Sequence, residues 1–570
     1  MGLLDDRLSE LRRLGLSARF RAETVLRVGF KLGVHKSVHF PGAKVVARDV
    51  LRGRANASTI FRLHAADNPD RPALVQAGLP DHREPLAREA KRLTYGEANA
   101  IADRLAMALV RRGVGRGSAV LIMVKNRIEF FLLSLAANRA GAAAVTVSWR
   151  STVPELAYLA GHSGAEAVFF DADVEGTVRE AVKSLAGIPR RNFISVGGAI
   201  SGFPSLEEIV ASEREQPEDV SHEAGLVMYT SGTTGKPKGA VRKLQKNALA
   251  AGLAFIDQTP MELGEMHLAV CPLYHATATG FSTMAFLLGG TVVVLGAFTP
   301  DTFLDAVERY RIQSTALVPT MIHRLIEHGS AAIQGHDLRS LRAIFSGGAP
   351  LGGQLAIDAM NVLGDKLYNF YGATETGMVT LASPADLRAA PGTIGRAVPG
   401  NEIRLVDDRG HDVRDGEVGE LYARNGMMVE GYHADPDATR QSMLEGYFSV
   451  GDLARRDAAG RFHIEGRKRD MIISGGVNVY PAEVEAVIEA HPAVAEVAVV
   501  GVPDREWGER VRAFMVKRRG RDATEDELKA WCRDRLAGPK VPRDFVFLET
   551  LPKNPTGKIL KRDLRNMVLG

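Results

Sequence analysis

The chain has 570 residues, 45% hydrophobic and 25% charged, which is enough to bury a large core and too many for one compact unit, so two or more domains are expected. Lysine and arginine total 72 against 68 acids, a balance that gives no general electrostatic case for a nucleic-acid partner. The only cysteines, Cys271 and Cys532, exclude a disulfide framework and a cysteine zinc cluster and fit a reducing, cytoplasmic setting.

The amino-terminal stretch is the most uneven in charge. Residues 1–54 hold twelve Lys or Arg against five acids, and Leu4, Leu8, Leu11 and Leu14 recur at helical spacing. This makes residues 1–58 a basic amphipathic arm that would lie on an anionic membrane face or pack on its own protein or a partner subunit. No uninterrupted apolar segment follows the basic residues, so a secretory signal is not expected. Asp5, Asp6 and Glu10 disfavour a mitochondrial presequence, and Asp6 stands where a myristoylation motif needs Ser or Thr.

Beyond the arm, short β-rich runs alternate with amphipathic helical ones. Val120 to Val124, Leu226 to Thr230, Leu268 to Leu273, Thr291 to Leu295, Thr315 to Val318 and Arg342 to Phe345 read as buried strands. A mostly parallel α/β core is expected, with its site in the loops beyond the strands' carboxyl ends. The strand ending at Thr230 runs into Ser231, Gly232, Thr233, Thr234, Gly235, Lys236, Pro237 and Lys238. Its glycines let backbone N–H groups converge on an anion while hydroxyls and lysines add donors and positive charge, so the loop reads as a polyphosphate cradle. It is not a Walker A loop, since two residues rather than four separate Gly232 from Gly235 and proline follows Lys236.

No charge interrupts Ala276 to Pro300, a length that would span a bilayer. Gly280, Gly289 and Gly290 and several threonines break it, so helix from Phe281 to Leu288, turn, and strand from Thr291 is the better reading. Thr299 and Pro300 then cap and open a helix over Asp301 to Tyr310. After Gly466 the texture changes. A charge cluster, Arg467 to Asp470, leads into a unit of about a hundred residues with helices near Ala482 to Ala490 and Glu525 to Leu536 and strands near Val494 to Val500, Val511 to Val516 and Phe545 to Leu548.

Five stretches in this order carry a resemblance: Tyr229 to Gly239, Asn369 to Gly377, Gly446 to Asp452, Gly466 to Pro481, and Pro552 to Lys558. From about Thr59 to the carboxyl end the chain resembles the adenylate-forming superfamily of acyl-CoA synthetases, peptide-synthetase adenylation domains and firefly-type luciferases. The resemblance implies a large amino-terminal α/β domain, 59–468, and a small mobile α+β carboxyl-terminal domain, 469–570. It also implies the chemistry: a carboxylate and ATP give an acyl-adenylate and pyrophosphate, and a thiol, that of CoA, then takes the acyl group and releases AMP.

The roles carried over follow residue by residue. The loop Thr230 to Lys238 would hold the β- and γ-phosphates, Thr374 would donate to the α-phosphate, and Glu375 would bind Mg2+, a hard cation content with one carboxylate plus phosphate oxygens. Gly348, Ala349 and Pro350 would approach the base, Tyr371 would stack it with Gly372 next to it in the nucleotide site, and Asp452, with Arg467 beside it, would take the ribose hydroxyls. Lys558 would bridge carboxylate and α-phosphate, where neutralising charge is the main demand. Arg469 would be the hinge, and Ser474, Gly475 and Gly476 would line the thiol tunnel. His275, Ala276 and Gly280 match the wall of the acyl pocket, whose small side chains leave room for a medium- to very-long-chain fatty acid. A ligase loading a carrier protein, or a luciferase-like or inactive acyl-binding relative, are the alternatives.

Overall fold

The computed structural model describes residues 23–24, 26–29, 40–51, 57–78, 89–213, 226–230, 238–242, 248–432, 435–554 and 558–567. The leucine repeat from Leu4 and the phosphate loop 231–237 lie outside these. The described residues divide into two compact units, one drawn from Met1–Ala316, Gln334–Ala343 and Gly426–Arg440, the other from Leu317–Ile333, Ile344–Asn425 and Gln441–Gly570.

The first unit holds mostly parallel sheet. Ser314–Leu317, Met266–Ala269, Thr291–Leu295 and Pro72–Ala77 run side by side in parallel, with Glu89–Thr94 antiparallel at the edge. A separate sheet orders Phe193–Val196, Ala165–Asp171, Ala119–Met123, Ala143–Thr146 and Leu226–Thr230 in parallel, closed by antiparallel Lys238–Arg242. The inner parallel strands are largely apolar, as strands covered on both faces by helices require, while the antiparallel edge strands Glu89–Thr94 and Lys238–Arg242 carry charges. Helix Phe40–Leu51 is fixed to helix Ala57–Asp67 through buried Asp49, which accepts from Thr59 Oγ1 at 2.8 Å and pairs with Arg62 at 2.6 Å. The described end of the basic arm is thereby anchored on its own unit.

Two element boundaries differ from the sequence reading. The strand expected over Leu268 to Leu273 stops at Ala269, because the Asn126 side chain takes over the backbone beyond it. Its Nδ2 donates to the carbonyls of Val270 and Cys271 at 3.2 and 3.1 Å, and its Oδ1 accepts from Leu273 N–H at 3.0 Å. The helix expected from Phe281 starts at Ala276. Thr279 and Thr283 turn their hydroxyls back onto the carbonyls of His275 and Thr279 at 3.2 and 2.7 Å, which satisfies these hydroxyls within the helix. Among the described residues no helix is long and apolar enough to cross a membrane.

In the second unit, Ala343–Ser346 runs parallel to Leu367–Ala373, which turns back antiparallel into Gly377–Ala382. An antiparallel sheet orders Glu402–Val406, Val418–Arg424, Asp452–Arg456 and Phe462–Arg467. The smaller carboxyl-terminal domain is built on the ribbon of Val494–Asp504 and Gly508–Lys517, flanked by Ile472–Ser474 and by parallel Asp544–Phe547. The ribbon is apolar on both faces with the period of two that a strand imposes. Val497, Val499, Val511, Ala513 and Met515 pack with helices Pro481–Glu489 and Glu525–Arg533, while Ala498, Val500, Val502 and Phe514 pack with Leu551 and Leu564 of the tail.

Candidate active site

Four of the expected nucleotide residues converge in the second unit. Asp452 opens the strand Asp452–Arg456 and faces Arg467 across the antiparallel ladder. Arg467 Nε stands 3.1 Å from Asp452 Oδ1, while Tyr371 Oη donates to Asp452 Oδ2 at 2.8 Å. Each carboxylate oxygen is thus oriented by one neighbour and keeps lone-pair capacity for a further donor. Burial first, and then the Asp452 charge, push the Tyr371 hydroxyl well above its ordinary value, so it is a neutral donor.

Tyr371 reaches this place because its strand bulges there. Ladder register shifts between Tyr371 and Gly372, and a side chain at Gly372 would collide with the Gly377 carbonyl. The hairpin turn carries Thr374 and buried Glu375. Thr376 Oγ1 accepts from Ala373 N–H at 3.1 Å, and Asn425 Nδ2 donates to the Thr376 carbonyl at 2.8 Å, so the turn is held by its own hydrogen bonds. Glu375 lies within electrostatic reach of the Tyr371 hydroxyl. The loop of Gly347, Gly348, Ala349 and Pro350 follows the strand Ala343–Ser346 as expected. Gly348 takes φ +80°, and a side chain at Gly347 would enter the Phe370 ring. Ser346, which the sequence did not single out, is fully buried just before this loop, and its hydroxyl finds no hydrogen-bond partner among the described residues.

Lys558 joins the same cluster from the tail. Its backbone is fixed by Asn554, whose Oδ1 accepts from Lys558 N–H at 2.8 Å and whose N–H donates to the Lys558 carbonyl at 2.9 Å, and by Leu560 N–H donating to Pro552 at 2.8 Å. Burial, with Arg467 and Arg469 adding repulsion, pushes its ammonium down to about 8, against the pull of Asp452 and Asp470. Arg469 sits in the single turn Lys468–Asp470 that joins the strands Phe462–Arg467 and Ile472–Ser474. Burial and then Arg467 lower its own pKa.

Ser474 is buried, and Gly475 and Gly476 form the two-residue turn of a hairpin pairing Ser474 with Val477. Both glycines have positive φ, +59° and +78°, the backbone that such tight hairpin turns require. A side chain on Gly475 would stand 2.6 Å from the Trp507 ring, and Gly475 N–H donates to the Trp507 carbonyl at 2.9 Å. Trp507, with the Arg543 guanidinium 4.4 Å over its ring, is a second residue that no motif or spacing singled out.

The remaining candidates belong to the first unit. Thr230 and Lys238 are paired across the antiparallel strands that bound the phosphate loop, while Ser231, Gly232, Thr233, Thr234, Gly235 and Lys236 lie outside the described residues. His275 precedes the helix Ala276–Leu287, which carries Ala276 in its first turn and Gly280 one turn on. Burial pushes the His275 imidazole down to about 4, so it is neutral, and its Nε2 is buried with no hydrogen-bond partner among the described residues.

The description AMP-binding enzyme fits residues 61–433, and AMP-binding enzyme C-terminal domain fits residues 483–558. The fatty acid–[acyl-carrier-protein] ligase ScoC of Streptomyces coeruleorubidus is 31% identical over 519 residues, 89% of this chain and 95% of its own. An indoleacetate–CoA ligase of Aromatoleum aromaticum is 33% identical over 499 residues, 86% of this chain and 96% of its own. Among solved structures, the amide bond synthetase McbA of Marinactinospora thermotolerans is similar with a TM-score of 0.78 at 29% identity, covering 90% of this chain and 99% of that one.

Proposed function

The chain belongs to the AMP-binding enzyme family and has its adenylate-forming fold, and from that premise we propose that it activates a medium- to very-long-chain fatty acid as its acyl-adenylate and passes the acyl group to CoA. The observation that carries the first step is that Lys558 lies within electrostatic reach of Asp452 and Arg467, the pair to which Tyr371 donates. Asp452 takes the ribose hydroxyls, Tyr371 offers its ring to the base beside the Gly347 to Pro350 loop, and Thr374 donates to the α-phosphate. The Lys558 ammonium lies between the attacking carboxylate and the α-phosphate, where negative charge gathers in the transition state. The loop Thr230 to Lys238 neutralises the departing pyrophosphate. Glu375, a single buried carboxylate on a rigid turn, fits Mg2+ arriving with ATP, since this ion shares its shell between a carboxylate and phosphate oxygens.

For the second step the domain from Arg469 onward turns about that residue, and the side-chain-free edge at Gly475 and Gly476 admits the pantetheine arm. The fatty-acid reading rests on the small residues Ala276 and Gly280 following neutral His275 along one helix. The fatty-acid relative ScoC is in keeping with it, whereas the indoleacetate relative marks an aromatic acid as the competing substrate. ScoC also favours a second reading for the acceptor, a carrier-protein thiol. Pyrophosphate release measured across aliphatic acids of graded length and across aryl acids, with and without CoA, tests both. Activation of aryl acids alone would overturn the fatty-acid reading, and AMP release indifferent to CoA would overturn the acceptor.

The basic arm is proposed to make peripheral contact with anionic membrane, its described part including the helix Phe40–Leu51.

A further inference from the structure

The helix Pro481–Glu489 carries three glutamates, and they are used differently. Glu483 takes Lys540 Nζ at 2.7 and 2.8 Å on its two oxygens. Glu485 takes Lys561 Nζ at 2.6 Å and also accepts from Val499 N–H at 2.7 Å. Lys561 lies three residues beyond Lys558, so Glu485 ties this helix to the segment that carries the adenylation lysine. Glu489, one turn further along the same face, forms no ion pair among the described residues. Its carboxyl lies instead against Gly352, with Cδ 2.6 Å from where a Cβ on that glycine would stand.

Gly352 is the N-cap of the helix Gly353–Leu363, at φ −61° and ψ 142°. Any residue adopts that backbone, so the conformation does not require glycine. What requires it is the Glu489 carboxyl, which occupies the space a side chain would take. The first turn of a helix has N–H groups without intrahelical partners, and a carboxyl oxygen is a natural neighbour for them. Gly352 also directly follows the Gly347 to Leu351 stretch that approaches the nucleotide base. The charged groups facing Glu489 are Glu485 on its own helix, Glu496 on the strand Val494–Asp504 and Arg518 beyond the strand Gly508–Lys517. Burial and the two glutamates push its carboxyl up to about 7, with Arg518 opposing. The seat therefore holds the acid as readily as the anion, and what fills the space above Gly352 is a planar group of this length rather than a charge.

We infer that Glu489 is a positioning residue for acyl-adenylate formation: seated on Gly352, it fixes the helix Pro481–Glu489 and, through Glu485 and Lys561, holds Lys558 beside Asp452. This rests on the reading of Lys558 as the group that serves the first half-reaction. Residue 352 and residue 489 then act as one unit, and the two-step assay and the seat itself can be read separately.

The test is a double-mutant cycle in the full chain. Glu489→Ala and Gly352→Ala should each slow pyrophosphate release by about five- to tenfold, the loss expected from a contact of this kind. Both should spare thioester formation from supplied acyl-AMP. Glu489→Gln should keep the wild-type rate. Gly352→Ala also weakens the helix cap in itself, so the deciding quantity is the double variant, which should be no slower than the slower single one. Multiplying losses, or a slow Glu489→Gln, would overturn the inference. Amide hydrogen exchange of residues 481–489 and 353–363 without ligands reads the seat directly. Gly352→Ala should speed exchange in 481–489 when Glu489 is present and not when it is alanine, whereas 353–363 also feels the weakened cap in either background. Unchanged exchange removes the seat, and coupled exchange with both half-reactions unaltered removes its positioning role. Because exchange is measured without turnover, a chain that adenylates no acid would refute the two-step reading while leaving the seat testable.

Discussion

Raising the pH should slow the first half-reaction through Lys558 before it touches the second. Burial, then Arg467 and Arg469, hold this ammonium at about 8 instead of its ordinary 10.5. A lysine so depressed is about nine-tenths charged near pH 7 and about one-tenth charged near pH 9. A rate proportional to the charged form therefore falls about tenfold over that interval. The dependence of kcat/KM for ATP on pH reports groups of the free enzyme, so the falling limb centred near 8 belongs in that parameter. In kcat it moves upward, because bound triphosphate favours the ammonium. The same displacement carries a conformational cost. Below pH 8 the pose with Lys558 buried is disfavoured, without nucleotide, by about 3 kcal/mol relative to one in which the lysine is solvated. That penalty is relieved as pH rises from 8 toward 10.5, the sign that follows from a folded pKa below the free one. The assay is pyrophosphate release at subsaturating ATP across the pH range, beside thioester formation from supplied acyl-AMP. Lys558→Arg, charged throughout, should be slower but flat. A falling limb near 8 that persists in Lys558→Arg, or that appears equally in the thioester step, would refute the assignment.

Tyr371→Phe removes the 2.8 Å donor to Asp452 and should raise KM for ATP about tenfold with kcat little changed, the scale of a hydrogen bond to a charged group; an unchanged KM would separate Asp452 from ribose binding. Gly475→Leu places a side chain against the Trp507 ring at φ +59°, so acyl-AMP should form while its conversion to thioester fails, and full CoA turnover would remove the tunnel from this edge. Deleting residues 1–54 should abolish salt-sensitive sedimentation with anionic vesicles and leave turnover of a soluble acid intact; equal sedimentation of both proteins would end the membrane proposal.

What the sequence revealed depended on whether the determining contacts were local. Leu226–Thr230 and Thr291–Leu295 coincide with their apolar runs because glycines, threonines and charges bound them on both sides. Thr299 caps its helix, accepting from Thr302 N–H at 3.1 Å, and Pro300 opens it, as local chemistry dictates. The end of the expected strand at Ala269 was hidden because its terminator, Asn126, is remote in sequence. The start of the helix at Ala276, five residues before the expected Phe281, was hidden because the helix is buried on more than one side and shows no amphipathic period. Tyr371, Asp452 and Arg467 were named from ordered motifs and stand on neighbouring strands, and Lys558, named in the same way, stands in the tail. Ser346, Trp507 and Glu489 were not, since their significance lies in spatial neighbours that no spacing rule connects.

The tail's packing constrains how Lys558 can leave the nucleotide residues. Lys553 pairs with Glu496 at 2.6 Å, Lys561 with Glu485 at 2.6 Å, and Arg565 with Asp470 at 2.9 Å. Leu564 is fully buried against Ala498, Val500 and Phe514. Peeling the tail away would break three ion pairs and expose an apolar side chain worth about 2 kcal/mol. Keeping it in place and moving the whole ribbon leaves those contacts intact. Arg565 holds Asp470 within the turn Lys468–Asp470, so the tail is tied to the element about which such a movement would pivot. On the proposed rotation about Arg469, Lys558 would therefore depart with its sheet rather than from it, and the movement that withdrew its charge would carry Gly475 and Gly476 with it.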